Sequence, residues 1–356
     1  MTISAVVDER SIAICCGSGG VGKTTTSAVL ALEAARRGRR AVVVTIDPAR
    51  RLADALGLAG GLSNTPRRIE GPWPGELWAV MLDTKSTFDE LVMRHATDTA
   101  QAERILGNRF YRNISSALSG TQEYMAAEKL YELHEDGDWD LVVVDTPPTR
   151  NALDFLDAPD RLTRFLDHRL YRVLMAPTRV YLRALNVAAQ TFLRSVTKTI
   201  GGEVLADAIA FFQAFDGMEA GFRQRAVRVR ELLTDAASAY VLVAAPRHDA
   251  VEEASYFADR LGEYGIEISA LVVNRVHPRF GTLTAAEALA RAAVAPTRLA
   301  PLWANLAELT EVADREDEHL AELTTRVAPA PVVRVPFLAD DVHDLDGLAA
   351  VARHLF

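Results

Sequence analysis

SIAICCGSGGVGKTT, residues 11–25, is the stretch around which this chain is built: a short apolar strand leads into a glycine-rich loop. From Gly17 to Thr24 the loop fits the pattern G-x-x-x-x-G-K-[ST]. In this pattern backbone N–H groups surround phosphates, a lysine reaches the terminal ones and a hydroxyl meets Mg²⁺. A helix predicted over residues 24–37 follows, with its positive dipole end towards the anion. The stretch therefore predicts a nucleotide-binding phosphate loop.

The whole loop is expected to contact the nucleotide, and Lys23 is also a candidate catalytic group because it holds phosphate charge. A Cβ at Gly17, Gly20 or Gly22 would crowd the phosphates or forbid the turn. The predicted contacts are made by Gly17, Ser18, Gly19, Gly20, Val21, Gly22, Lys23, Thr24 and Thr25.

The composition is that of an ordinary globular protein. Of the 356 residues, 49% are apolar and 24% charged, which allows one nucleotide-binding domain with a large insertion, or two domains. No apolar run is long enough to cross a bilayer and no secretory leader is visible, so we expect a cytoplasmic location. The formal charge of −9 argues against nucleic-acid binding.

The only two cysteines, Cys15 and Cys16, adjoin each other in the strand before the loop. Successive strand residues point to opposite faces, so the two thiols are poor partners for one disulfide or one metal ion. We expect both to be buried structural residues. The sequence also offers no CxxC zinc pair and no thiolate cluster for soft metalloids.

A second buried parallel strand is predicted over residues 40–47 and ends at Asp47. An acid at the carboxyl end of a strand beside the phosphate strand lies where doubly wound sheets bind their ligands. Asp47 could therefore orient an attacking water. It could equally cap a helix over residues 49–56, with Pro48 at the first helical position.

A third buried strand is predicted over residues 139–145, where the sequence WDLVVVD ends in Asp145. An apolar strand with a terminal aspartate, downstream of a phosphate loop, is typical of ATPases in which the acid holds the magnesium shell. We therefore favour Asp145, together with Thr24, as a magnesium residue over a simple helix cap.

The middle of the chain is predicted to be mostly helical. A short strand at residues 78–82 precedes helical patterns at 86–104 and 114–135. Residues 151–237 carry further helical patterns, broken at 176–178 and 201–202. A pattern over residues 204–222 is apolar on two faces, which indicates either a helix buried between others or a groove for a hydrophobic client. The buried interpretation is favoured.

Strands return at residues 239–245, 268–274 and 332–335, with a helix at 251–264, and the last helix is predicted at Leu345–Leu355. That last helix lacks the basic face of a membrane-binding helix. A guanine-specific loop would offer N-K-x-D, whereas Asn274 is followed by Arg275, Val276 and His277. An asparagine amide can pair with adenine, so we expect adenine.

Five motifs, in this order along the chain, resemble those of the ArsA-type ATPases. That family includes the arsenite-pump ATPase and the targeting ATPase for tail-anchored membrane proteins. The resemblance covers nearly the whole chain. The motifs are the loop at 17–25, Asp-Pro-Ala at 47–49, Asp-Thr-Pro-Pro-Thr at 145–149, Val-Val-Asn-Arg at 272–275 and Pro-Phe-Leu at 336–338.

The resemblance implies a P-loop NTPase of the α/β class, with a mostly parallel doubly wound sheet and a helical insertion subdomain. Its cofactors would be ATP and Mg²⁺, and a dimer would close around ATP. By this similarity Asp47 orients water, Thr24 and Asp145 hold magnesium, and Asn274 with Arg275 contacts the adenine. The loop beside the base would be formed by Pro336, Phe337 and Leu338.

The expected division has a nucleotide core in three parts, 1–87, 136–155 and 237–356, with a helical insertion at 88–135 and a helical subdomain at 156–236. Three departures from the family matter. Arg150 follows Thr149 where the family continues T-G-H-T, the metalloid and zinc cysteines are missing, and Ser18 replaces a lysine that crosses to the partner's nucleotide.

We therefore expect an Mg²⁺-dependent ATP hydrolase whose dimer opens and closes a helical client surface. The resemblance implies targeting of hydrophobic membrane-protein segments, with at most transient membrane-receptor contact, or a role related to anion transport. The alternative is a weakly hydrolysing regulatory subunit in a heterodimer with a lysine-bearing relative. Arginines at 50, 51 or 150 could instead supply the missing charge within a homodimer. A partitioning ATPase is a weaker third option.

Overall fold

The structure is a computed structural model, and it describes residues 2–47, 49–114, 121–147, 149–168 and 202–356. Strands and helices are numbered in chain order over these residues. The strands are β1 Ile12–Cys16, β2 Arg40–Thr45, β3 Arg67–Ile69, β4 Glu76–Met81, β5 Leu141–Asp145, β6 Ser238–Ala244, β7 Ile268–Val276 and β8 Val332–Pro336.

Helices surround these strands in the sequence. They are α1 Ile3–Glu9, α2 Lys23–Arg36, α3 Arg51–Ala55, α4 Thr84–His95, α5 Thr99–Leu106, α6 Arg109–Ile114, α7 Thr121–Asp136, α8 Thr149–Asp167, α9 Gly202–Gln213, α10 Glu219–Thr234, α11 His248–Glu263, α12 Ala285–Val294, α13 Ala300–Arg326 and α14 Leu345–Leu355. None of the helices in the described ranges combines the length and apolarity needed to span a membrane.

The strands form one sheet in the order β3-β4-β2-β5-β1-β6-β7-β8, and β3 is its antiparallel edge strand. The remaining neighbours pair in parallel. The four central strands are buried along almost their whole length, as expected for apolar runs covered on both faces. The predicted α/β class with a mostly parallel sheet is confirmed, and the central strands lie within about two residues of their predicted bounds.

Parallel pairing brings the ends of three strands to one edge of the sheet. Asp145 pairs in register with Cys15 of β1 and with Thr45 of β2. The loop after β1, the segment after β2 and the last residue of β5 therefore meet at the carboxyl edge, where sheets of this kind bind ligands.

Helix α2 packs into the core immediately after the loop. Its alanine-rich sequence keeps it narrow, and nearly every residue from Thr26 to Ala35 is buried. The C-terminal helix α14 packs on α2, and Leu348, Val351 and Leu355 face inwards as predicted. Helix α2 thereby anchors the loop to the buried core around the sheet.

Two predicted helices are wrong, because each is divided into two. The helix expected at 86–104 ends at His95, and Asp98 begins α5 by accepting a hydrogen bond from the Gln101 N–H. The pattern at 204–222 divides into α9 and α10 around Gly217, whose φ is +85°. The N-cap at Asp98 and the left-handed glycine at Gly217 interrupt these patterns even though the apolar spacing continues.

Of the helix expected at 114–135, the structure describes Ile114 as the last residue of α6 and then α7 over Thr121–Asp136. Residues 115–120 and the predicted break at 176–178 lie outside the described residues. The sequence analysis missed β3, α1, α6, α12 and α13. One signal was readable, since Thr284 and Glu287 form a capping box at the start of α12.

The chain divides into two compact units. Unit 1 is Met1–Met81, Leu133–Leu153 and Thr234–Phe356, and it contains the sheet. Unit 2 is Leu82–Glu132 and Asp154–Leu233, and it is helical in the part that the structure describes.

Unit 2 has an aromatic core. Phe211 stacks on Tyr111 with the ring centroids 5.8 Å apart, and Phe215 contacts Phe211, Phe88 and Phe222. Phe211, Phe215 and Phe222 are buried, as is Met218. The structure bears out the interpretation as packed core for residues 211–222. Val204 is 44% exposed, and Ala208, Ile209 and Phe212 are only half-buried.

Candidate nucleotide site

The loop that joins β1 to α2 needs glycine for two reasons. Gly17, Gly20 and Gly22 have φ values of +146°, +76° and +99°, a region that other residues rarely adopt. A Cβ at Gly17 would lie 2.0 Å from the Val243 carbonyl oxygen, and one at Gly22 would lie 2.2 Å from Asn274 Nδ2. Two of the three glycines therefore also make room for neighbouring strands of the sheet.

Lys23 is the first residue of α2 and is almost fully buried. Its Nζ donates a 2.8 Å hydrogen bond to the Ser18 carbonyl oxygen, so the side chain folds back over the loop. The pKa of Lys23 is lowered from its ordinary value, chiefly by burial, while the Asp145 carboxylate acts in the opposite direction. A buried cation beside the amino end of a helix makes this loop an anion site.

Asp145, at the end of β5, is held by two hydroxyls. Its Oδ2 accepts from Thr24 Oγ1 at 2.8 Å and from Thr45 Oγ1 at 2.9 Å. Burial raises the pKa of Asp145 to about 6, although the two hydrogen bonds and the charge of Lys23 oppose this rise. Thr45 was not predicted from the sequence as a site residue. The feature that could have indicated it is its position as the last residue of β2, at the same sheet edge as Asp145.

The other carboxylate oxygen, Oδ1 of Asp145, is buried and has no hydrogen-bond partner among the described residues. A buried acceptor of this kind suits a cation. The Thr24 hydroxyl beside it adds a second hard oxygen, and Mg²⁺ at phosphate sites takes only one or two protein ligands. Thr24 and Asp145 therefore fit Mg²⁺.

Asp47 lies in the segment that follows β2. Its Oδ1 accepts from the Ala49 N–H at 2.9 Å, and its Oδ2 lies 3.6 Å from an Arg51 guanidinium nitrogen. Helix α3 begins at Arg51 rather than at residue 49, so Asp47 closes the turn before the helix and does not cap the helix itself. Its side chain remains 24% exposed, so a solvent molecule can reach it. Pro48 lies outside the described residues.

Asn274 and Arg275 lie on the opposite side of the loop, at the end of β7. Asn274 Nδ2 donates to the Val21 carbonyl oxygen at 2.9 Å, and Arg275 Nη1 donates to the Gly20 carbonyl oxygen at 3.2 Å. The structure thus brings both predicted residues into contact with the phosphate loop.

The predicted base loop follows β8. The Phe337 N–H donates to the Val276 carbonyl oxygen, and the Phe337 ring is largely exposed beside His277. Pro336 lines a cavity of about 270 Å³, but Asn274, Phe337 and Leu338 do not. The cavity wall consists of Val276, His277, Pro278, Arg279, Ala313, Glu316, Asp317, Arg334 and Pro336.

Ser18 occupies the position at which the resemblance to the ArsA-type ATPases implies a lysine. It is 4% exposed, and its Oγ has no partner among the described residues. Arg51, one of the alternative cations, lies 3.6 Å from Asp47 Oδ2 and is 64% exposed. The side chain of Arg150 lies outside the described part.

Both cysteines are buried in β1, as predicted. Burial raises the pKa of Cys15 to about 12 and that of Cys16 well above its ordinary value. The Cys16 thiol contacts the Val241 carbonyl oxygen at 3.5 Å. Neither thiol is a thiolate at neutral pH, so neither is poised to bind a soft metal or to react.

A glycine loop between a central strand and a helix, with a buried lysine and an acid on the adjacent strand, defines the class of P-loop nucleotide-binding proteins. The profile of one family within that class, the ArsA-type or anion-transporting ATPases, matches residues 10–282. The chain belongs to this family, and the resemblance stated from its motifs is confirmed.

The chain is also similar in sequence to individual ATPases whose names include GET3 and ARSA. The chain is 31% identical over 169 residues to ATPase GET3 of Malassezia globosa, a match that covers 46% of this chain and 48% of that protein. It is 29% identical over 282 residues to ATPase GET3B of Arabidopsis thaliana, covering 74% and 63%. It is 26% identical over 285 residues to ATPase ARSA2 of Chlamydomonas reinhardtii, covering 77% and 71%. The matched part thus spans about half of that GET3 protein.

Proposed function

We propose that the chain is an Mg²⁺-dependent ATP hydrolase of the ArsA type. The observation that carries this proposal is the contact of Thr24 with Asp145 at the base of the loop, beside a carboxylate oxygen that has no partner among the residues the structure describes. Two strands and a helix place these groups at the carboxyl edge of the sheet. Membership of the family supports ATP as the nucleotide.

Each group has a proposed role in phosphoryl transfer to water. Lys23 and the loop amides hold the phosphate oxygens, and Asp47 orients the attacking water. Thr24 and Asp145 hold Mg²⁺, which when bound neutralises charge on the phosphate oxygens. The protein thereby contributes mainly positioning and electrostatics.

The base is proposed to be adenine. No acidic residue follows Asn274 to take the donors of guanine, and Asn274 with Arg275 lies beside the loop. Pro336, Phe337 and Leu338 are proposed to lie beside the base. The cavity at Pro336 supports an opening at this end of the sheet.

We assign the nucleotide core to residues 1–87, 136–155 and 237–356, and a client module to 88–135 and 156–236. The division into two compact units supports this assignment. The resemblance to the ArsA-type ATPases supports a dimer that binds hydrophobic protein segments, and the family model that matches residues 10–282 supports the resemblance. Because Phe211 and Phe215 are buried here, a client surface would form from other residues or only in another nucleotide state.

A second candidate function is favoured by Ser18. A chain that binds ATP but lacks the lysine which crosses to the partner's nucleotide would hydrolyse slowly alone. It would then serve as the regulatory subunit of a heterodimer with a related chain that carries the lysine. The uncharged, buried Ser18 is the observation that supports this candidate.

The test is ATP binding and ATP hydrolysis by the purified chain with Mg²⁺ and with a chelator. Lys23→Ala should abolish binding, whereas Lys85→Ala, which removes an exposed lysine far along the chain, should bind as the wild type does. Hydrolysis that needs Mg²⁺ supports the first candidate. Tight binding without hydrolysis supports the second, and a wild-type chain that binds no ATP overturns both.

A further inference from the structure

Strand β7 carries a bulge where it passes the phosphate loop. Its register with β8 shifts between Asn274, which pairs with Val335, and Val276, which pairs with Pro336. The residue between them, Arg275, has a φ of +63° and is the only residue other than glycine with a positive φ in the described ranges. A bulge redirects the side chains around it, and an unfavourable backbone conformation is retained where the surrounding contacts demand it.

The bulge directs two side chains onto successive carbonyl groups of the loop. Arg275 Nη1 donates to the Gly20 oxygen and Asn274 Nδ2 donates to the Val21 oxygen. The Asn274 amide is itself oriented, because its Oδ1 accepts from the Arg275 N–H at 2.9 Å. The fit is close, since a Cβ on Gly22 would clash with Asn274 Nδ2.

Peptide geometry converts these contacts into a direction for the loop amides. In a trans peptide, the carbonyl of one residue and the N–H of the next point in opposite directions. With the Gly20 and Val21 oxygens turned towards β7, the N–H groups of Val21 and Gly22 point away from it. Neither N–H donates a hydrogen bond to any of the described residues.

We infer that Asn274 and Arg275 are positioning residues that set the phosphate loop in its anion-binding conformation before any nucleotide arrives. The ligand that they serve is the polyphosphate chain, with or without a base. This inference rests on the proposed function, because it concerns the same loop. It differs from the role that the family resemblance gives Asn274, since contact with adenine would leave a base-free ligand unaffected.

The discriminating ligand is therefore inorganic tripolyphosphate with Mg²⁺, measured beside ATP by titration calorimetry. Asn274→Ala and Arg275→Ala should each weaken both ligands by the same factor, about five-fold for the loss of one hydrogen bond. Arg275→Lys retains a donor and should recover part of the loss. Arg353→Ala, at an exposed arginine of α14, should match the wild type. An Asn274→Ala variant that loses ATP affinity but keeps tripolyphosphate affinity would overturn the inference in favour of base recognition.

Hydrogen exchange without nucleotide gives a second measurement that does not depend on catalysis or on ligand binding. In both alanine variants the peptide that covers the loop and the first turn of α2, where the Thr26 N–H donates to the Gly22 oxygen, should exchange faster. Peptides from β4 and α11 should keep their wild-type rates and so report intact folding. Unchanged loop exchange would show that the two contacts do not order the loop. Because the free chain is measured, this result stands even if the wild type fails to bind ATP, which would overturn the proposed function alone.

Discussion

Thr45 links the two acidic residues of the site. Its hydroxyl donates to Asp145 Oδ2 and accepts from the Asp47 N–H at 3.3 Å. We expect Thr45→Val, which keeps the shape but removes the hydroxyl, to raise the Mg²⁺ concentration needed for half-maximal turnover by about ten-fold, as is usual for residues that orient a metal ligand. Thr45→Ser should restore the wild-type value. Equal magnesium dependence in the valine variant would contradict a positioning role.

Asp47 can be tested without disturbing the turn around it. In Asp47→Asn the side-chain oxygen can still accept from the Ala49 N–H, so the local structure should persist while the negative charge is lost. We predict nearly unchanged ATP affinity and turnover reduced by about 10²-fold or more. Single-turnover hydrolysis compared with ATP binding measures the difference. If the variant turned over ATP at the wild-type rate, Asp47 would only stabilise the turn and would not orient water.

Because both thiols are buried, we predict that arsenite does not stimulate the ATPase activity of this chain. Soft metalloids bind thiolates, and burial keeps Cys15 and Cys16 protonated inside β1. A thiol reagent at pH 8 should modify neither cysteine in the folded chain and both in denaturant, and arsenite should leave the steady-state ATPase rate unchanged. Modification of a native thiol, or marked stimulation by arsenite, would refute this prediction.

Strands were easier to predict than helix ends, for a physical reason. A strand buried on both faces needs an unbroken apolar run, which is visible in β1, β2, β5 and β6. A helix end depends on one capping residue whose signal is small beside the apolar spacing. Asp98 begins α5 in the middle of a pattern that reads as continuous helix, so the break escaped prediction.

Gln101 shows how such a helix end is stabilised in unit 2. Its Nε2 donates to the carbonyl oxygens of Ala214 and Asp216, just beyond the end of α9, and its Oε1 accepts from Thr97. Gln101→Ala leaves these partly buried groups without partners, so we expect a loss of about 2 kcal/mol in the free energy of unfolding of this unit. Glu103→Ala, at an exposed position of the same helix, is the control.

The measurement for Gln101 must report on unit 2. All four tryptophans (Trp73, Trp78, Trp139 and Trp303) belong to unit 1, so tryptophan fluorescence would follow the wrong unit. Hydrogen exchange of a peptide over residues 202–216, followed across a urea series, reports on unit 2 alone. A variant as stable as the control would show that the glutamine contacts contribute nothing.

The chain builds its sheet from segments that are far apart in sequence, and this limits prediction from sequence. Motif spacing places the loop, Asp47 and Asp145 at one edge, because carboxyl ends of parallel strands coincide. The spacing of the motifs does not predict the hydrogen bond of the Thr45 hydroxyl, which forms only when β2 pairs with β5. It does not predict the bulge at Arg275 either, which forms when β7 pairs with β8. Side-chain contacts across strands therefore had to come from the structure.

Ser18 bears on how the whole molecule assembles. Serine can complete the loop, but it is uncharged and too short to reach the phosphates of a second subunit. If the dimer geometry that the family resemblance implies holds, each lysine at this position serves the nucleotide of the opposite subunit. A homodimer of this chain would therefore lack both cations, whereas a heterodimer with a lysine-bearing relative would supply one to this chain's ATP.

The prediction is slow hydrolysis by the pure chain and acceleration on mixing with such a relative. A cation contributed by a partner can increase phosphoryl transfer by about 10³-fold or more. Ser18→Lys should raise the rate of the pure chain in the same way, while Lys23 and Asp47 of this chain remain necessary for its own site. The measurement is the ATPase rate against protein concentration, for the chain alone, for the Ser18→Lys variant and for the mixture.

The competing explanation is that an arginine of this chain supplies the charge within a homodimer. Arg51 is exposed and lies beside Asp47, and a guanidinium is well suited to phosphate. In that case the pure wild-type chain turns over fully in a concentration-dependent manner, and Arg51→Ala, Arg50→Ala or Arg150→Ala abolishes this turnover. Such a result would exclude the heterodimer. If the homodimer already supplies the cation that speeds hydrolysis, a lysine from a second chain is not needed.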